Sequence, residues 1–308
     1  MDRRKVKLLY IGGFSRCGST MLSNILGEID GFFNAGELLY VWNRILSRDG
    51  ICGCGVHVCK CKVWSVVFDK ALGAPIQVDC NEMIQMRDSE WQSIKIPLWM
   101  WIPAAKSRLV SNVGKYLSNL GKLYSAIGSV LSGMVIIDSS KNPAYLYMLS
   151  LVPEVDLYII HIIRDPRATA YSWLRKKVGF WQTSSWRTAL SWNARNFMID
   201  LLGRRFGKRY MRLSYEELVA HPRKVIETVV DLVGEEQKSL TFIKDDEVEL
   251  GLNHSVFGNP GIYYLTGAVK LRLDDEWKGS MGRWDKIITT TLTWPLMNRY
   301  GYSVFHDA

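Results

Sequence analysis

Three near-continuous apolar runs, residues 6–11, 134–137 and 157–163, constrain this chain most. Each stops abruptly, at Gly12-Gly13, at Asp138 and at Arg164-Asp165-Pro166. Runs of this kind suit strands buried on both faces of a parallel sheet, not the alternating strands of a half-exposed antiparallel one. Between them the period changes. Met21, Leu22, Ile25 and Leu26 recur at helical spacing after Gly18. Trp186, Leu190, Phe197 and Leu201 predict a long amphipathic helix, and Val225, Val229 and Leu232 another, with a short strand at 210–213 between them. Pro166 suits the first turn of a helix, where its missing N–H costs no hydrogen bond. Strands alternating with helices predict an α/β protein: a three-layer, P-loop-like fold with a mostly parallel central sheet flanked by helices. Ligands of such sheets bind beyond the carboxyl ends of the strands. The segments after residues 11, 137 and 163 are therefore the candidate ligand segments.

Composition narrows the class. Hydrophobic residues make up 48% of 308, enough for a core and too many for a disordered chain. The net charge of +9 points to a polyanionic partner: nucleic acid, a membrane surface or a phosphorylated ligand. No run approaches the ~18 apolar residues of a membrane-spanning helix. Residues 1–7 are charged, and the apolar stretch that follows lacks the small-residue cleavage site of a signal peptide. Six cysteines in this length do not make a disulfide scaffold. A cytoplasmic protein without membrane association is expected. No linker divides the chain, so one domain over 1–308 is expected. Residues 75–130, with Trp91, Trp99 and Trp101, read as a helical cap over the substrate site. Residues 244–282, polar and Gly-containing, read as a binding loop or lid.

Gly13-Phe14-Ser15-Arg16-Cys17-Gly18-Ser19-Thr20 has the spacing of a phosphate-binding loop, strand first and helix after. Ser19 stands where that loop usually carries lysine. Consecutive N–H groups and a helix N-terminus still form an anion cradle. Arg16 supplies a permanent, forked donor. The missing lysine weighs against a P-loop nucleotide kinase, in which residues 134–138 would be the metal-binding strand. A basic nucleic-acid-binding protein would need a basic stripe or a known module, and neither is present, so no nucleic-acid partner is expected.

Phe14 to Thr20 resembles the 5′-phosphosulfate loop of sulfotransferases that use 3′-phosphoadenosine 5′-phosphosulfate (PAPS). Ile163-Arg164-Asp165-Pro166-Arg167-Ala168 through Tyr171-Ser172 resembles their 3′-phosphate motif, in which an Arg and a Ser eight residues later clasp the phosphate. Arg164 and Ser172 have that spacing. Ala35-Gly36-Glu37-Leu38 is similar to an acidic segment of tyrosylprotein sulfotransferases. Cys52-Gly53-Cys54-Gly55, Asp138-Ser139-Ser140-Lys141 and Gly258-Asn259-Pro260 resemble a bacterial branch of the family. Tyr215-Glu216-Glu217-Leu218 resembles the segment whose tyrosine lies near the adenine. The resemblance implies PAPS as donor and PAP as product. It implies Arg16, Cys17, Gly18, Ser19, Thr20, Arg164, Ser172, Tyr215 and Asn259 as cofactor-binding residues.

In sulfuryl transfer an acceptor oxygen or nitrogen attacks sulfur in line and a phosphate leaves, so positioning and charge stabilisation dominate. Arg16 and Lys141 are the candidates to stabilise the leaving phosphate, and these fixed cations leave no metal requirement. A carboxylate or imidazole must take the acceptor's proton. Glu37 is the expected base, 21 residues after Arg16, a spacing associated with the tyrosylprotein branch. The alternative role for Glu37 is to start a helix over 38–46, where a carboxylate favours the dipole. His57 is the second candidate base. His161 reads as a core residue, His221 as a turn residue, and His254 as a loop residue able to touch a ligand.

Cys52, Cys54, Cys59 and Cys61 form C-x-C pairs, which suit zinc less than C-x₂₋₄-C pairs. A tight loop near the acceptor channel is expected there, with no metal. Cys17 is expected to act through its N–H and small size. Trp42, Trp99, Trp101, Tyr263 and Tyr264 are the candidate aromatic pocket residues. The expected acceptor is a small natural-product molecule with a hydroxyl or amine. A glycan or a peptide tyrosine is the alternative acceptor.

Overall fold

The computed structural model describes residues 5–175, 183–236 and 238–303. Five parallel strands form the central sheet: β1 (Val6–Gly12), β2 (Phe32–Gly36), β3 (Val135–Lys141), β4 (Val155–Ile163) and β5 (Tyr210–Ser214). Their order is β2-β3-β1-β4-β5, which puts the phosphate-loop strand in the middle. Leu8 and Tyr10 of β1 face one helical layer, and Leu9 and Ile11 face the other. Both sets are fully buried, which is why the run reads as continuous rather than alternating. The first layer includes the helices Trp64–Leu72, Pro103–Val130, Pro143–Leu149 and Ser185–Gly203. The second includes Ser19–Gly27 and Pro222–Leu232. The expected three-layer α/β fold is thus what forms.

Several elements depart from the expectation. β2 has no sequence run to announce it, because Asn34 and two small residues fill a five-residue strand. β3 continues three residues past Asp138, through buried serines to Lys141. It can do so because Asp138 accepts from Tyr124 Oη (2.6 Å) and Ser140 N (2.9 Å), leaving little polar demand unmet. The helix Ser185–Gly203 forms, but Trp186, Leu190 and Phe197 are exposed on it. Its buried stripe is Thr188, Ala189, Trp192, Asn196, Ile199 and Leu202. Two of those serve polar groups of β4 and its end: Trp192 Nε1 donates to Arg164 O (3.1 Å), and Asn196 Oδ1 pairs with His161 Nε2 (3.0 Å). Hence the apolar pattern marks the wrong face.

Residues 75–130 are helical, as Cys80–Ser89, Ile96–Trp101 and Pro103–Val130. The 28-residue helix packs on Trp64–Leu72 and on the sheet. Residues 244–282 are not merely irregular. β6 (Ile243–Lys244), β7 (Glu247–Leu250) and β8 (Gly267–Lys270) make a second, antiparallel sheet, with Val248 and Leu250 buried and Glu247 and Glu249 exposed. No helix among the described residues is long and apolar enough to cross a membrane.

Register shifts fall at the carboxyl ends of the central strands. β1 advances from Tyr10 to Gly12 while β3 advances from Asp138 to Lys141. β2 advances from Asn34 to Gly36 while β3 advances from Ile137 to Asp138. An extra residue at a strand end re-aims the side chains near it. Here those side chains are Glu37 and Lys141.

Candidate active site

β1 ends at Gly12, and the loop turns into the helix Ser19–Gly27. Gly18 has φ 89°, and a Cβ there would lie 2.5 Å from the Tyr215 ring, so only glycine fits. Arg16 also has positive φ, at 74°. For a side chain with a Cβ this conformation costs on the order of 1 kcal/mol, and such strain gathers at functional sites. Above the loop lies a cavity of about 570 Å³, within the range of small-molecule sites. Every parallel strand end contributes to it. Arg16, Gly18, Ser19 and Thr20 follow β1, Glu37 and Tyr40 follow β2, and Lys141 ends β3. Arg164, Ser172 and Trp173 follow β4, and Tyr215 follows β5.

One end of the cavity is crowded with guanidinium groups. Arg164 is 6% exposed. Its Nη1 donates to Arg16 O (3.2 Å), and its Nη2 donates to Asp274 O (2.8 Å) and lies 3.1 Å from Asp274 Oδ2. The guanidinium sits 4.6 Å from the centre of the Tyr215 ring. Its Nε is buried without a hydrogen-bond partner. A buried, unpaired donor is costly, and an anionic oxygen would satisfy it. Arg16 lies 5.3 Å from the Trp173 ring. Burial lowers the pKa of Arg16, and Arg175 and Arg164 lower it further. Burial opposes ionisation of Asp274, but Arg164 and Arg175 outweigh it and hold that carboxyl below its ordinary value. Ser172, buried in the helix Pro166–Leu174, completes this end. Asp165 starts that helix by accepting from Arg167 N (2.7 Å).

The other end holds an ion pair. Lys141 Nζ donates to Glu37 Oε1 (2.6 Å) and to Ser139 O (2.8 Å). Each of the two residues is 8% exposed. Lys141 takes φ 63°, a second strained residue at the site. Glu37 stands at the start of the 3-10 turn Leu38–Tyr40, but its side chain makes no capping bond. It turns instead to Lys141. Burial raises the Glu37 carboxyl above its ordinary value, and Lys141 offsets only part of that. Glu37 N donates to Phe257 O (3.0 Å), and the Phe257 ring meets Tyr40 edge-on at 5.1 Å.

Among the expected site residues, Arg16, Gly18, Ser19, Thr20, Glu37, Lys141, Arg164, Ser172, Tyr215 and Asn259 all line the cavity. Asn259 does so with its side chain engaged by Gly261 N (3.2 Å), while its own N–H donates to Thr20 Oγ1 (3.3 Å). Cys17 is inside the loop, but its thiol is buried in the core beside Leu9 and Ile11, and burial raises its pKa. His57 is not brought to the cavity. Its Nδ1 accepts from Cys59 N (3.2 Å) and its Nε2 donates to Ser47 O (2.9 Å), so both nitrogens shape a loop and neither is available as a base. His161 is a core residue, held by Tyr210 and Asn196, and burial lowers its pKa to about 4.

The expected aromatic pocket is also corrected. Trp42, Trp99 and Tyr263 are buried core residues, and Trp101 and Tyr264 are exposed elsewhere. Tyr40, Trp173, Tyr215 and Phe257 supply the cavity's rings. Only Tyr215 carried a family signal; Tyr40 lies three residues past Glu37 and Phe257 two before Asn259, and those neighbours were the available clue. Residues 75–130 contribute no lining residue. They stand behind the wall instead, with Trp91 at 6.4 Å and Arg87 at 5.8 Å from the Tyr40 ring. Residues 244–282 do line the cavity, through Phe257, Gly258, Asn259 and the 270–274 stretch. Asp138 lies beneath the cavity, not in it. It is fully buried, its oxygens are taken by Tyr124 and Ser140, and burial pushes it up to about 6. A kinase reading therefore lacks its metal-binding aspartate.

The sequence profile of the sulfotransferase family matches residues 9–239. The chain belongs to the sulfotransferase family. Its fold is shared with the sulfotransferase domain of the olefin synthase of Synechococcus PCC 7002, at 18% identity over 98% of each chain and a TM-score of 0.57. It is also shared with the sulfotransferase domain of the curacin biosynthetic pathway, at 16% identity over 97% of this chain and 99% of that one, with a TM-score of 0.61. A search of curated proteins finds no match.

Proposed function

We propose that this chain transfers the sulfuryl group of PAPS to a hydroxyl or amine of a small-molecule acceptor. One observation carries the reading. Arg16, Arg164 and Ser172 converge on one end of a cavity whose other end holds a buried carboxylate, Glu37, paired with Lys141. PAPS carries roughly four negative charges, counting up to about two per phosphate. The clustered guanidiniums and the unpaired Arg164 Nε fit such a ligand. Both structural relatives come from biosynthetic systems, which supports a natural-product acceptor. In this reading the whole chain is one domain, because the cavity draws on both sheets.

When bound, PAPS supplies an activated sulfuryl group and leaves as PAP. Arg16 and the N–H groups of the loop would hold the 5′-phosphosulfate. Arg164 and Ser172 would hold the 3′-phosphate, with the Tyr215 ring against Arg164 to flank the adenine. Glu37 takes the acceptor's proton. Before that step Lys141 neutralises the carboxylate from 2.6 Å. Once Glu37 is protonated, the ammonium loses its counter-charge. Its positive charge then serves the departing phosphate, together with Arg16. Tyr40 and Phe257, in contact with each other and lining the same cavity as the ion pair, supply an apolar wall for an acceptor.

The experiment is an acceptor screen with PAPS, following PAP release and product mass. Acceptor-dependent PAP release with a product heavier by one sulfuryl group is the expected result. Phosphoryl transfer from Mg²⁺-ATP, with no use of PAPS, would overturn the reading.

A further inference from the structure

Beside the cavity, the 50–62 loop meets the 253–259 segment. Cys52, Cys54, Cys61 and His254 present three sulfurs and a ring nitrogen there, all within 4.8 Å of one another. Cys52 Sγ and Cys61 Sγ are 3.7 Å apart, and Cys61 Sγ and His254 Nδ1 are 3.3 Å apart. Around a tetrahedral zinc, with Zn–S about 2.3 Å and Zn–N about 2.0–2.1 Å, ligand atoms lie about 3.5–3.8 Å from one another. A disulfide would need about 2.05 Å. The Cys52–Cys61 and Cys61–His254 distances lie close to that spacing, and a contraction of the wider pairs from at most 4.8 Å would bring all four donors around one ion.

The backbone builds this convergence. Cys52 N donates to Val56 O (2.8 Å) and Gly55 N to Cys52 O (2.9 Å), a tight turn that folds Cys54 back beside Cys52. Gly53 N donates to Ser255 O (2.9 Å), pinning the turn to the histidine's segment. A Cβ on Gly53 would lie 1.9 Å from Asn253 Oδ1, so the approach requires glycine. Trp64 Nε1 donates to His254 O, fixing the histidine from the other side. Cys52 and Cys61 are fully buried, while Cys54 and His254 are half-buried and leave an entry for an ion.

We propose that Cys52, Cys54, Cys61 and His254 form a structural zinc site that staples the 50–62 loop to the 253–259 segment. This departs from the expectation of a metal-free loop. The C-x-C spacing misleads because the fourth ligand comes from 193 residues past Cys61. Three thiols release their protons to solvent on binding, the histidine binds neutral, and no oxidation state changes. Four protein ligands close the coordination sphere, which makes the site structural rather than catalytic. The stapled segment runs on into the cavity wall. Val256 N donates to Ala35 O (2.9 Å), Glu37 N to Phe257 O (3.0 Å) and Asn259 N to Thr20 Oγ1 (3.3 Å). The metal thus holds the strip that touches both Glu37 and the phosphate loop.

The test reads metal, not turnover, so its outcome is separate from that of the donor reading. Protein grown with zinc and purified under reducing conditions without chelator is assayed for metal by mass spectrometry. It is then exchanged with Co²⁺ for visible spectroscopy. About one zinc per chain is expected, with a tetrahedral, thiolate-bound cobalt spectrum. Cys61→Ser and His254→Ala lower the zinc content several-fold, and Cys59→Ser leaves it unchanged. The wild-type stoichiometry and cobalt spectrum decide the matter even where a variant fails to fold. Reduced wild-type protein with neither zinc nor a cobalt–thiolate spectrum overturns the proposal. So does a Cys52–Cys61 disulfide found in protein whose thiols were blocked at lysis.

Discussion

Arg16, Lys141 and Arg164 stand at or just beyond the ends of parallel strands, whereas Phe257, Asn259 and Asp274 arrive on a segment that crosses back to the sheet from much later in the chain. The strand-end groups are set by the register of one buried sheet. The crossing segment is set by a few long-range hydrogen bonds, to Ala35, Glu37, Thr20 and the cysteine turn. A cavity built this way separates two tasks. The rigid side fixes charge, and the crossing wall fixes what can approach that charge.

Variants on the two sides should therefore fail differently. On the strand-end side, Glu37→Gln removes the proposed base, and kcat should fall by about 10³-fold with PAP affinity kept, within the usual range for general bases. Equal kcat in that variant would move proton removal elsewhere. Lys141→Met should lower kcat by about 10²-fold. It should also move the acidic limb of the kcat–pH profile upward. The direction comes from the pair: burial already raises Glu37, Lys141 counters it, and Glu37 must be deprotonated to act. Without Lys141 the carboxylate holds its proton to higher pH. A lowered rate with an unmoved limb would break the coupling of the two residues. On the crossing wall, Phe257→Ala should raise the acceptor KM by about tenfold, the value of a lost apolar contact of roughly 1.4 kcal/mol, with PAP affinity unchanged. Weaker PAP binding in that variant would blur the two sides into one. His57→Ala should change turnover by less than about twofold and cost about 1 kcal/mol of stability, from loss of its loop hydrogen bonds. A large loss of kcat at full stability would return His57 to the chemistry.

The same contrast explains what could be read from the chain. β1, β3 and β4 announce themselves because burial on both faces demands apolar residues, and their ends are where ligands must lie; β5, at the sheet edge, is only partly buried. Arg16, Lys141 and Arg164 were legible for that reason. Tyr40 and Phe257 were not, because each depends on a partner distant in sequence: Trp91 and Arg87 behind Tyr40, and Glu37 N–H on Phe257 O. The helix Ser185–Gly203 shows a second cause. Its buried face carries Thr188, Asn196 and Trp192, and the last two satisfy polar groups of the sheet, so hydrophobic periodicity marks the wrong stripe. The proposed zinc ligands show a third, since neither Cys52-Gly53-Cys54 nor His254 signifies a site until the turn at Gly53 docks on Ser255.

The most direct test of the donor site is a calorimetric titration of PAP into wild-type protein and Arg164→Ala, in buffer without Mg²⁺. One PAP should bind per wild-type chain with a Kd on the order of 1 μM, and the variant should bind about 10²-fold more weakly, as expected for losing charge-assisted hydrogen bonds. No PAP binding by the wild type, or equal binding by the two proteins, would contradict the assignment of this cavity.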